Sequence, residues 1–141
     1  MIILSIGLLF FSCTSDEAAS AEERKMEYAE YIDAPTTITF DEMTYDFGEA
    51  VDGDMVRHTY SFTNTGENNL VIIDVKGSCG CTVPESWPKD PVAPGERGDI
   101  EVVFNSHNRV GHAQKNVRVE ANTNPSVTTL TLTGTVNKKE E

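Results

Sequence analysis

Between Met55 and Thr65 apolar or ring-bearing side chains alternate with polar ones. Val56, His58, Tyr60 and Phe62 share one face, and Arg57, Thr59, Ser61 and Thr63 share the other. Successive side chains of a strand point to opposite faces, so this period belongs to a sheet with one face in a core and one in water. The pattern returns at Ile100, Val102 and Phe104, and again at Val117, Val119 and Ala121. It closes at Leu130, Leu132, Gly134 and Val136, with Thr129, Thr131, Thr133 and Thr135 facing the other way. A chain patterned this way folds as stacked sheets and not as a helix bundle.

Turn signals set the spacing. Val51-Asp52-Gly53-Asp54, Asn64-Thr65-Gly66-Glu67-Asn68, Pro94-Gly95, the stretch Ser106 to Gly111 and Asn124-Pro125 all interrupt apolar runs. Two further strands are predicted at Thr36 to Phe40 and Met43 to Gly48. Leu70 to Val75 is apolar nearly throughout, which predicts a central strand buried on both faces. Val83 to Gly95 carries Pro84, Pro88, Pro91 and Pro94 and is predicted to be a loop. The expected fold is an all-β, immunoglobulin-like two-sheet sandwich of about seven strands.

Ahead of this domain, Ile2 to Phe11 is apolar except for Ser5 and Gly7. About ten such residues fall short of the roughly 20 needed to span a bilayer and match the core of an export signal. Ser12 and Cys13 follow at once, which resembles a bacterial lipoprotein signal, where cleavage precedes a cysteine that receives lipid. An ordinary export signal with an incidental cysteine is the alternative. The segment from Thr14 to Asp33 is acidic, with Arg24 and Lys25 as its only cations. Ser20 and Glu23 sit at capping-box spacing, so a short helix over about Ala21 to Tyr31 is expected. It carries no apolar stripe and is read as a solvated tether. Acidic residues just after Cys13 resemble the surface-export signal of Bacteroidetes lipoproteins. The predicted layout is a signal peptide at 1–12, a lipidated Cys13 and acidic tether at 13–35, the sandwich at 36–137 and a charged tail at 138–141.

Chemistry concentrates at Ser78-Cys79-Gly80-Cys81-Thr82. Cys79 and Cys81 have the parity of Val71, Ile73 and Val75, so a continued strand would turn both thiols into the core. Gly77 and Gly80 permit a bend instead. A disulfide between residues two apart needs that bend, because an extended strand holds their Cβ atoms too far apart. It would close a loop worth only about 1.6 kcal/mol of unfolded-state entropy. As a metal site the pair would suit Cu(I) or Zn(II), with His58, His107 and His112 as the only imidazoles, none at a ligand spacing. No cofactor is otherwise expected. Trp87, in the proline-rich loop, is a candidate partner anchor or a lid over one end of the sandwich. His58 on its apolar face reads as a core or edge histidine.

Tyr45-Asp46-Phe47-Gly48, Tyr60 to Gly66, Ser78 to Thr82, Pro94-Gly95-Glu96 and Leu132-Thr133-Gly134 occur in that order. Together they resemble the family catalogued as domain of unknown function 1573. The resemblance implies an immunoglobulin-like module of exported bacterial proteins, often lipoproteins, with no settled activity.

No nucleophile elbow, phosphate loop or metalloprotease motif is present, and no catalytic residue is predicted. The net charge of −12 opposes binding to nucleic acid. The expectation is therefore a non-catalytic binding or structural module, held to the outer membrane by its lipid and facing a protein or glycan of the cell envelope. The alternative is a redox or copper-handling protein built on Cys79 and Cys81.

Overall fold

A computed structural model of the chain describes residues 16–141. The export signal and the Cys13 anchor lie outside the described residues. Two helices, α1 (Asp16–Glu27) and α2 (Ala29–Ile32), precede eight strands. These are β1 (Ile38–Phe40), β2 (Thr44–Val51), β3 (Met55–Asn64), β4 (Ile72–Gly77), β5 (Thr82–Ser86), β6 (Arg97–Asn105), β7 (Gly111–Ala121) and β8 (Val127–Asn137). They form two four-stranded sheets with spatial orders β1-β3-β6-β5 and β2-β8-β7-β4. Every pairing is antiparallel except that of β2 with β8.

The alternation that predicted the sandwich also builds its core. Tyr60, Phe62, Ile100, Val102 and Phe104 of one sheet meet Ile72, Val117, Val119, Leu130 and Leu132 of the other, with Leu70 joining them from just before β4. All are essentially inaccessible to water. Each such side chain contributes roughly 1.5–3 kcal/mol of transfer free energy. Two glycines inside strands make room for rings. A Cβ on Gly98 would overlap Phe62, and one on Gly134 would overlap Phe47.

Three expectations need correction. The strand count is eight, because Thr82–Ser86 pairs with β6 although it contains Pro84. It lies at the edge of its sheet, where a missing N–H is tolerated, and the register shifts between Pro84 and Ser86. Second, β4 is an edge strand and not a central one. It is still buried on both faces. A bulge between Ile72 and Asp74 sends Ile72 and Val75 into the core, and Val71 and Ile73 are buried outside that cluster, on the side where α1 crosses β4.

The third correction concerns the acidic segment, which is docked and not solvated. It does lack an apolar stripe, and polar contacts hold it instead. Arg24 pairs with Asp74 at 3.7 Å and Lys25 with Glu120 at 3.2 Å. Tyr28 is only 6% exposed, and its hydroxyl donates to the Lys89 carbonyl. The Asn122 side-chain amide donates to the carbonyls of Tyr31 and Ala34, at 3.1 and 3.3 Å, and of Asn69 at 2.9 Å.

Candidate functional site

Gly77 ends β4, and four residues, Ser78 to Cys81, carry the chain across to β5 in the opposite sheet. Ser78 keeps β7 paired for one more step, since its N–H donates to the Asn116 carbonyl at 2.8 Å and its hydroxyl accepts from the Asn116 N–H at 3.3 Å. The Thr82 N–H then closes the turn on the Cys79 carbonyl at 3.2 Å, and the Asn105 N–H holds the Cys81 carbonyl at 2.8 Å. Gly77 is required here for space, because a Cβ would overlap the Thr82 carbonyl oxygen. The two edges β4 and β5 therefore meet along one side of the sandwich.

The bend brings the cysteines together as a disulfide, with Cα atoms 5.2 Å apart. The turn supplies the geometry that an extended strand lacks. Both residues pack against the core, as their parity predicted, yet unequally: Cys81 is 6% exposed and Cys79 only half-buried. Their flanks, Ser78 and Gly80, are exposed, and nothing stands within 4 Å of where a Gly80 Cβ would be. Behind the bridge the Thr82 hydroxyl lies 3.8 Å from the Cys79 sulfur and 3.7 Å from the Cys81 sulfur, and Thr82 is 2% exposed.

The imidazoles do not join this pair. His58 stacks on Tyr45 at 3.6 Å, meets Tyr60 edge-on at 4.7 Å, and has its Nε2 2.6 Å from Glu42. His107 and His112 are exposed. Among the described residues no three His, Cys, Asp or Glu side chains converge on a point where a metal ion could sit.

Trp87 is half-buried against the core, with two cations on its ring. The Lys89 ammonium lies 2.9 Å from the ring centroid and the Arg24 guanidinium carbon 5.6 Å from it. Loss of water around Lys89, and then the neighbouring Arg24 charge, push its pKa down to about 8, against the pull of Asp74. The ring thus seats the chain's own α1. Burial also raises the Tyr28 phenol above its ordinary value, with Glu27 adding to the effect.

Two asparagines escaped the sequence reading. Asn64, fully buried, donates to the carbonyls of Asn68 and Val92 and accepts from Thr36 and the Gly66 N–H. Asn122, 4% exposed, accepts the Val71 N–H at 2.8 Å while holding the α2 end. Their only sequence signal is an asparagine at a strand end, which also marks ordinary turns. A shallow cleft lined by Glu30, Tyr31, Ala34, Asn68 and Asn69 brings no nucleophile beside a base.

A family model described as "Protein of unknown function (DUF1573)" matches residues 38–136. Curated proteins give no match. Among solved structures the chain is similar to a protein of unknown function from Porphyromonas gingivalis W83, with a TM-score of 0.61, 10% identity, and coverage of 72% of this chain and 47% of that one. It is similar to the secreted serine protease VesC from Vibrio cholerae, with a TM-score of 0.58, 12% identity, and coverage of 79% and 26%. The ASH / PapD-like domain of human CEP192 matches with a TM-score of 0.59 and 10% identity over 99% of this chain and 100% of that one. The chain spans less than half the length of the first two. At these identities the likeness is one of fold, an immunoglobulin-like and PapD-like sandwich.

Proposed function

Since the chain belongs to the family of unknown function 1573, we propose that it is an exported, lipid-anchored module without hydrolase or phosphoryl-transfer machinery, which binds or braces a protein or glycan of the cell envelope. The observation that carries this reading is the pairing of Cys79 with Cys81. Of three cysteines it leaves Cys13, directly after the apolar run, as the odd one. Disulfides persist in exported compartments, and an unpaired cysteine at such a position suits a lipid attachment. With Arg24 and Lys25 of α1 paired with Asp74 and Glu120 of the sheet, the sandwich would sit close to the outer membrane. Its contacts would come from the strand edges and end loops, where apolar side chains such as Val51, Met55 and Val110 are exposed.

The test is the Cys13→Ala variant in a bacterial host. The wild type should partition with the outer membrane and carry a lipid mass on Cys13. The variant should leave the membrane fraction or keep its signal uncut. Mature wild-type protein with an unmodified Cys13 would overturn the anchoring.

A further inference from the structure

We propose that the Cys79–Cys81 bridge is a thiol–disulfide exchange site, with Cys79 the sulfur that is attacked and Cys81 the sulfur that leaves. Stabilisation does not account for the bridge, because it closes a loop of three residues and removes little freedom from the unfolded chain. The turn is already fixed without it, by the bonds from Ser78 to Asn116, from Thr82 to Cys79 and from Asn105 to Cys81. Opening the bridge therefore leaves the strand crossing in place, as a centre that must cycle requires.

Access assigns the roles. A thiol approaching past exposed Gly80 meets half-buried Cys79 first, and Cys81 is shielded by the core. In the first step a thiolate of a dithiol reductant attacks the Cys79 sulfur. A new S–S bond forms, the Cys79–Cys81 bond breaks, and its electron pair leaves on the Cys81 sulfur. The buried Thr82 hydroxyl, 3.7 Å from that sulfur, can donate a hydrogen bond to the developing thiolate. In the second step the reductant's other thiolate attacks its own sulfur in the mixed disulfide and expels the Cys79 thiolate. The two protons released by the reductant's thiols are taken up by Cys79 and Cys81, so two electrons and two protons pass to this chain. The reverse sequence delivers them to another disulfide.

The experiment uses the oxidised full chain with reduced glutathione as the probe, quenched early with an alkylating agent and mapped by mass spectrometry. Glutathione should be found on Cys79 and the alkyl group on Cys81, in at least about tenfold excess over the reverse arrangement. Far-UV circular dichroism should stay unchanged throughout. Equal labelling of the two cysteines would overturn the assignment of roles. A bridge that resists thiols until denaturant unfolds the chain would overturn the exchange site itself. Thr82→Val should slow reduction by about tenfold while the strand signal is kept, the size expected for one lost hydrogen bond to a charged sulfur. An unchanged rate in that variant would remove Thr82 from the mechanism.

Discussion

The Cα of Gly77 faces the carbonyl oxygen of Thr82 so closely that a single added methyl group would overlap it. The two residues flank the bridged turn, one at the end of β4 and one at the start of β5. Gly77→Ala should lower stability by about 2–4 kcal/mol in urea or guanidinium unfolding, since backbone must shift to admit the new atom. Gly80→Ala, which meets open space, should change it by less than about 0.5 kcal/mol.

Trp87 is the only tryptophan, and the Lys89 ammonium sits on its ring. Emission from Trp87 should therefore step with a midpoint near pH 8 and not at the ordinary lysine value of 10.5. In the unfolded chain Lys89 holds its proton up to that ordinary value. Between the two the unfolded state binds more protons, so this contribution to stability rises with pH and is lost as pH falls through about 8. Lys89→Met should abolish the fluorescence step.

Asn122 satisfies four backbone groups spread over the segment just before β4 and the α2 end. Asn122→Ala would strand the Val71 N–H in a buried setting and should cost about 2–4 kcal/mol. It should also release the N-terminal segment. Tryptic cleavage after Arg24 and Lys25 in the otherwise folded chain should speed up by about tenfold or more.

Arg97 holds Asp41 across the surface, with Nη2 2.5 Å from the carboxylate. The hydrogen bond from Arg97 keeps the Asp41 carboxyl below its ordinary value of 3.8, so its share of stability is present above that value and fades as pH falls through the lowered one. In Arg97→Gln, carboxyl chemical shifts followed by NMR should show Asp41 titrating back towards 3.8.

What was legible follows from range. The faces of β3, β6 and β8 could be read from Tyr60, Phe62, Ile100, Val102, Leu130 and Leu132 because a period of two is local. The burial of Leu70 to Val75 was legible too, but its cause was not, for the cover on Val71 and Ile73 comes from a helix with no apolar stripe. The N-terminal segment is held by Asp74, Lys89, Glu120 and Asn122, residues dozens of positions away that only the fold gathers. Pro84 hid a strand because proline signals a loop until a sheet edge is known to receive it. Inward parity for Cys79 and Cys81 was readable, and their bond was not, since it depends on a four-residue turn whose shape is set by Asn116 and Asn105.

The parallel pairing of β2 with β8 carries a consequence for how the chain comes to be made. β8 is the last strand in sequence, yet it lies inside its sheet, flanked by β2 on one side and β7 on the other. Until Val127–Asn137 is available, β2 has no neighbour in that sheet, and the first strands to emerge during synthesis cannot close over a core. Completion of this sheet is thereby deferred to the end of chain delivery. If the proposed export holds, that delay would keep premature closure from blocking the passage of the chain across a membrane.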